Sequence, residues 1–374
     1  MGKSAFLGSD TSIEVCVSPV YPETLMPGVF TLEITTVCDN FCSGCANVEL
    51  ARKKSDRKTT NAFMTHWKEI IDKIALASNC KAIIRLSGGE PTLHPEFDLI
   101  ISYIETWGMS FAILTTGRWT KGNIDRTLTL LKNSERFLGF LISLHGDNAA
   151  DHCAFTESSS KAFVQTCNSI KKASAYGIRV FTNTVITNKN WNKISDIVLL
   201  SEKLGSAMAV FNRFVAVEHL LLPTTVQLGW AIQSVLSLRN AGRPCRVGNY
   251  IPKCFFPQNT YPTPAGFELC HISPSGRIRP DNFSHFAFGN ILSDELSQIW
   301  NSDKAHFFRN HFPSSCLDCA ALSVCRGGLK SLSIESPIAV GDPLMQGPLS
   351  FDQVHDWDDD KEKVNAVMLA LTSD

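Results

Sequence analysis

The chemistry-bearing residues of this 374-residue chain are its thirteen cysteines, six of which stand in two tight groups. Cys38, Cys42 and Cys45 follow the spacing C-x3-C-x2-C, and Cys316, Cys319 and Cys325 the spacing C-x2-C-x5-C. Thiolates are soft donors that suit iron–sulfur clusters or zinc. Three thiolates on one short loop can wrap three corners of a cubane cluster and leave one iron open to a substrate or cofactor. A closed structural zinc site takes four ligands, and no fourth cysteine stands near the first group. The open cluster is therefore preferred to a zinc knob or to three incidental thiols. The odd cysteine count, behind an N-terminus (Met1-Gly2-Lys3-Ser4-Ala5-Phe6) without an apolar export segment, argues against a disulfide framework.

These groups need elements to position them. Apolar runs at Val29–Ile34, Ala82–Leu86, Phe111–Leu114, Phe137–Leu144, Ile178–Ile186 and Ala207–Phe211 read as strands. Helical spacings of three and four lie between them: Phe63, Trp67, Ile70, Ile71 and Ile74; Phe97, Ile100, Ile101 and Ile104; Ile124, Leu128 and Leu131; Phe163, Cys167 and Ile170; Ile194, Ile197, Val198 and Leu204. Gly177 and Gly205 stand where left-handed helix caps are expected. About six β–α units in a row predict a parallel sheet with helices outside, curling by right-handed crossovers into a partial (β/α)6 TIM-like barrel. Such folds place their chemistry at the C-terminal ends of the strands. The first cysteine group follows the first strand. Ser87-Gly88-Gly89-Glu90-Pro91 ends the second, where two glycines let backbone approach a ligand and Glu90 or a freed carbonyl can accept from an ammonium group.

The expected organisation is a leader at 1–28, a barrel core at 29–215, a connecting segment at 216–244, a small cysteine-rich C-terminal module at 245–335 and a tail at 336–374. Seven prolines between Pro244 and Pro280 mark the loop-rich start of the module. The acidic run Asp358–Asp360 in the tail reads as a solvated helix start. With 35 basic against 36 acidic residues, net charge −1, the chain offers no footprint for nucleic acid. No run approaches the roughly 18 to 20 apolar residues of a membrane helix. Neither nucleic acid nor membrane is expected as a partner, and a cytoplasmic location is.

Together the three cysteines and the Gly88-Gly89-Glu90-Pro91 turn resemble the signature of the radical S-adenosylmethionine (SAM) superfamily. The resemblance covers roughly residues 29–215. It implies that Cys38, Cys42 and Cys45 bind a 4Fe–4S cluster whose open iron takes the amino and carboxylate groups of SAM. It places Phe41 near the adenine and the Gly88–Glu90 turn at the methionine amino group. Thr116, Ser143 and Asn183 match polar positions at later strand ends, and His145 is a weaker candidate facing the substrate. The C-terminal cysteines resemble SPASM and twitch extensions, which carry auxiliary clusters. Such modules have cysteines where Asp281 and Leu329 stand here, and another after the position of Cys325. One auxiliary 4Fe–4S cluster is therefore expected, held by Cys316, Cys319, Cys325 and Cys270, with Cys254 as the alternative fourth ligand. Structural zinc, or a three-cysteine cluster with an open iron, are the competing readings. Cys16, Cys80, Cys153 and Cys167 read as small apolar residues, Cys167 on a buried helix face.

The implied activity is reductive cleavage of SAM to a 5′-deoxyadenosyl radical that abstracts hydrogen from a substrate, with a flavodoxin- or ferredoxin-type reducing partner. Maturation of a peptide or protein is preferred, although the first 28 residues leave no room for a separate peptide-binding domain. A small-molecule dehydrogenase or rearrangement enzyme is the alternative. A metal-binding scaffold without catalysis is the alternative of another class.

Overall fold

The computed structural model describes residues 26–45, 47, 63–119, 124–216, 219–258, 262–310, 312, 316–331 and 342–345. The leader up to residue 25, Cys16, and the acidic run of the tail lie outside the described residues.

Six parallel strands alternate with helices, as the apolar runs predict. They are β1 (Val29–Thr35), β2 (Ile83–Gly88), β3 (Ser110–Thr115), β4 (Phe137–Ser143), β5 (Val180–Ile186) and β6 (Met208–Arg213). Between them run α1 (Met64–Ser78), α2 (Phe97–Thr106), α3 (Ile124–Lys132), α4 (Ala149–Thr156), α5 (Ser160–Ala175) and α6 (Ile194–Lys203). Gly177 and Gly205 do adopt positive φ, +79° and +86°. The strand residues alternate as a barrel wall should. Phe30, Leu32, Ile34, Ile84, Leu86, Phe111, Ile113, Phe140 and Ile142 pack with Trp67, Ile70, Ile71, Ile74, Ile100, Ile101 and Ile104 of the helices into one core. Their neighbours along the strands point to the other face, the barrel interior. Phe63 departs from its expected place. It precedes α1, is 74% exposed, and leaves the buried stripe to start at Trp67.

The connecting segment is more ordered than its sequence suggests. α7 (Thr225–Asn240) opens with a capping box, in which Thr224 Oγ1 accepts from Gln227 N–H and Gln227 returns an acceptor to Thr224 N–H. β7 (Cys245–Val247) then adds to β6 in parallel, with Cys245 in the core.

The cysteine-rich region is continuous with the barrel. β8 (Leu269–Ile272) pairs parallel with β1, β9 (Arg277–Arg279) pairs antiparallel with β8, and β10 (Gly289–Asn290) pairs antiparallel with β9. One sheet results, in the order β10-β9-β8-β1-β2-β3-β4-β5-β6-β7. On its interior face Glu33 of β1 receives Arg279 at 2.5 Å and lies 3.2 Å from His271 Nδ1, all in buried surroundings. The short helices α8 (Leu296–Trp300), α9 (Asp303–Asn310) and α10 (Leu322–Cys325) complete the described fold.

Candidate active site and auxiliary metal centre

Cys38, Cys42 and Cys45 lie just beyond the C-terminal end of β1, each half-buried and outside any disulfide. Burial, the largest effect, pushes the Cys38 thiol up to about 12, and nearby Glu90, Asp39 and Cys45 add to it. The loop closes on itself through Cys45 N–H to Cys42 O at 3.1 Å. Its sides are fastened by neighbouring strand ends. Phe41 N–H and Ser43 N–H donate to Thr156 O and Phe155 O at the end of α4. Arg118, two residues past the end of β3's Thr-Thr pair, donates to Asp39 O at 2.5 Å and to Asn40 Oδ1 at 3.1 Å. From the segment after β6, His219 Nε2 lies 2.8 Å from Ser43 O, while His219 Nδ1 accepts from Leu221 N–H. That acceptor role leaves the proton of the neutral ring on Nε2, so His219 donates to Ser43. Phe214 fills the space beneath Gly44, where a Cβ would come within 2.3 Å of its ring.

The Gly-Gly turn is built against the stem of this loop. Gly89 and Glu90 N–H groups donate to Thr35 O and Val37 O, both at 2.7 Å. A Cβ on Gly88, at φ +121°, would sit 2.4 Å from Thr35 O, and one on Gly89 2.1 Å from Val37 O. The close approach that these glycines permit is thus to the chain's own backbone. Glu90 also has an internal task. Its buried carboxylate accepts from Thr92 N–H and Oγ1, Thr115 Oγ1 and Thr116 N–H, at 3.2, 2.7, 2.7 and 2.6 Å. Desolvation raises its pKa, and those hydrogen bonds pull it back. Glu90 staples β2 to the end of β3, and Thr116 is buried beneath it, so neither side chain is open to a ligand. Ser143 and Asn183 stand half-exposed on the interior face of β4 and β5, and Asn183 Oδ1 accepts from Asn212 Nδ2 at 2.5 Å. His145 is buried. Its Nδ1 accepts from Val185 N–H, its ring packs 4.1 Å from Phe155, and burial first, then His152, keeps it neutral.

The second group encloses a cavity of about 100 Å³ lined by Cys254, Cys316, Cys319 and Cys325 together with Lys253, Leu322, Gly327 and Met345. At ~30 Å³ per water in the liquid, this is room for several atoms. Among the described residues no group of three or more His, Cys, Asp or Glu is set to hold a single metal ion. Four thiols around one space suit an iron–sulfur cluster, whose irons take thiolate ligands. Cys270, expected as the fourth ligand, is elsewhere. It is fully buried within β8 in the apolar core, and burial raises its thiol far above the usual range. Cys254, the alternative, lines the cavity with the other three thiols. The positions of Asp281 and Leu329 are packed: Asp281 is buried, accepting from Phe283 N–H and Ser331 Oγ, and Leu329 is buried. A bidentate ion pair stands beside the cavity, Asp342 lying against Gly328 next to the lining Gly327. Arg213 at the end of β6 grips Asp342 at 2.7 and 2.6 Å, with both side chains almost wholly buried. Asp342 further accepts from Leu329 and Leu344 N–H, which brings Met345 over the thiols.

Sequence reasoning missed Arg118, His219, Arg213 and Asp342. Arg118 had a visible signal in following a strand-end Thr-Thr-Gly, but the other three act across long separations that no local spacing reveals.

Fold and site together define a partial-barrel enzyme scaffold with a three-thiol loop at the barrel mouth and a second thiol centre on an extension of the same sheet. The Radical SAM superfamily pattern matches residues 32–200, and an iron-sulfur cluster-binding (SPASM) domain matches residues 264–320. The chain belongs to the radical SAM superfamily and carries a SPASM domain. The antilisterial bacteriocin subtilosin biosynthesis protein AlbA of Bacillus subtilis is 25% identical over 314 residues, 80% of this chain and 65% of AlbA. A PqqA peptide cyclase of Xanthomonas campestris is 22% identical over 342 residues, 84% of this chain and 85% of the cyclase. Streptococcus suis SuiB bound to S-adenosylmethionine superposes with a TM-score of 0.70 at 18% identity, covering 86% of this chain and 78% of SuiB. No helix among the described residues is long and apolar enough to cross a membrane. The cofactors of the two domains are a 4Fe–4S cluster with SAM and auxiliary iron–sulfur, and both sets of thiols suit them.

Proposed function

We propose that this protein is a peptide-modifying radical SAM enzyme with one auxiliary cluster. The observation that carries the reading is the cysteine loop itself: three thiols outside any disulfide at the mouth of the barrel, fastened by α4, β3 and the segment after β6. When bound, the cluster and SAM supply a 5′-deoxyadenosyl radical that takes a hydrogen atom from the substrate. Cys38, Cys42 and Cys45 hold three irons. Arg118, Phe214 and His219 keep the loop from moving, and the backbone of the Gly88–Glu90 turn forms the adjoining wall. Ser143 and Asn183 present polar groups to the interior where substrate meets the cofactor. Cys254, Cys316, Cys319 and Cys325 hold the second cluster, closed by four thiolates, which suits electron transfer rather than substrate ligation. A flavodoxin- or ferredoxin-type partner serves as reductant. Peptide substrates are supported by the names of the relatives, AlbA in subtilosin biosynthesis and the PqqA peptide cyclase. SuiB, whose fold this chain shares, has also been solved with its precursor peptide SuiA.

The test is iron and sulfide content after anaerobic reconstitution, together with 5′-deoxyadenosine formation under reduction. About eight irons are expected, the content of two cubanes. About four are expected for Cys38→Ala/Cys42→Ala/Cys45→Ala, with no 5′-deoxyadenosine. About four are also expected for Cys254→Ala/Cys316→Ala/Cys319→Ala. Wild-type protein loaded with iron that yields no 5′-deoxyadenosine would leave the scaffold reading standing instead.

A further inference from the structure

We infer that Arg85 and Arg246 form a site inside the barrel for a carboxylate group of the substrate. The inference rests on the enzyme reading above and adds a chemical requirement for what enters.

Arg85 is in β2 between Ile84 and Leu86, which are fully buried against the helices. The strand's alternation therefore turns Arg85 to the interior face, where it is exposed. Arg246 alternates in the same way with buried Cys245 of β7, and it too is exposed. The register fixes its level. Arg246 pairs with Val210, Val210 with Asn183, and Asn183 with Ser143, so it stands in the row of polar strand-end residues. Arg85 stands three positions before Gly88 of the turn. β2 and β7 are five places apart in the sheet, yet the curl of the barrel brings the two arginines within electrostatic reach of each other. Although part of its side chain reaches solvent, desolvation by the surrounding barrel wall lowers the pKa of Arg85, and Arg246 is the second cause.

Among the described residues neither arginine has a carboxylate, carbonyl or other hydrogen-bond partner. By contrast, Glu33 holds Arg279 and His271, and Asp342 holds Arg213. Two like charges left facing each other repel, and a carboxylate between them removes that cost. Guanidinium groups bind carboxylates in paired, charge-assisted hydrogen bonds. The site lies on the same face as Ser143 and Asn183, with Arg246 in their row and Arg85, which pairs through Ala112 to Gly139, below it, so a carboxylate held there would reach down from that row into the barrel. Under the peptide reading, the group is an Asp or Glu side chain or a C-terminal carboxylate.

The test uses reconstituted holoenzyme with SAM, immobilised, and an equimolar pool of hexapeptides carrying capped or free C-termini. Bound peptides are identified by mass spectrometry, and glutarate binding is measured alongside by calorimetry. Enrichment of capped peptides containing Asp or Glu is expected for a side-chain carboxylate, and of free-ended peptides for a terminal one. Either should fall about ten- to a hundredfold in Arg85→Gln and in Arg246→Gln, the loss typical of a charged hydrogen bond. Arg85→Lys should recover part of it. Glutarate binding that the variants lose, without any peptide enrichment, would support the carboxylate site and sink the peptide reading. Acidic ligands bound equally by wild type and variants, or not bound by wild type at all, would overturn the inference. So would a parallel loss of SAM affinity in both variants, since the arginines would then serve the carboxylate of SAM.

Discussion

At the scale of single residues, the cysteine loop is governed by contacts that a chemist would not list among its ligands. His219 donates to the Ser43 carbonyl, one residue from Cys42. His219→Ala removes that donor, and His219→Asn restores an amide in reach. The reduced cluster is expected to shift its EPR signature and midpoint potential in the alanine variant, because hydrogen bonding around the thiolates sets potential. The asparagine variant should move back toward wild type. Identical spectra in all three proteins would reduce His219 to a packing residue. Cys38 gives a pH prediction with a definite sign. Its thiol is raised from 9.0 to about 12 in the folded chain. The cluster-free protein is therefore stabilised by the neutral thiol below pH ~9 and loses that contribution as pH rises toward ~12. Melting temperatures of cluster-free wild type and Cys38→Ser should converge across this window. Cluster assembly runs the other way and strengthens with pH, since ligation releases the proton.

At the scale of elements, the parallel strands and their helices were readable because each carries a clean period. Phe111 and Ile113 against Ile100, Ile101 and Ile104 are such a case, and burial is the same physics that period reports. The cysteine loop was readable for a different reason: three thiols in eight positions have few alternative uses. What was hidden lies where one element acts on another. The glycines of the Gly-Gly turn look like a ligand cradle in sequence, yet they are required by Thr35 O and Val37 O. Glu90 looks like a ligand and is a staple. The fourth thiol of the second centre was ambiguous because Cys254 and Cys270 both precede the trio, and only the pairing of β8 with β1 buries Cys270 away from it. The Arg213–Asp342 pair belongs to this scale too. Asp342→Asn leaves Arg213 charged and buried, at a cost of about 3–5 kcal/mol. A clear fall in melting temperature is expected, with loss of the iron assigned to the second centre while the first keeps its own. Unchanged iron content would separate this latch from the auxiliary site.

At the scale of the whole molecule, the radical SAM barrel and the SPASM domain share one sheet. β8 covers the edge of β1, and Glu33 and Arg279 join across the seam. A chain ended at residue 244 would expose the β1 edge, its unpaired backbone groups and the buried Glu33 carboxylate, and open strand edges drive association. Such a fragment is expected to aggregate, which sedimentation or size-exclusion chromatography would reveal. A monodisperse fragment that takes up four irons would show the barrel to be self-sufficient.

That seam also sets a clock during biosynthesis. Glu33 and Arg279 are 246 positions apart, so at ~5–20 residues per second the ribosome needs ~12–50 s between them. Throughout that interval β1, and the cysteine loop it carries, wait beside an unfinished wall. Iron delivered before then would meet thiols whose supporting strands are incomplete, so loading of the first cluster belongs after β8 and β9 have emerged.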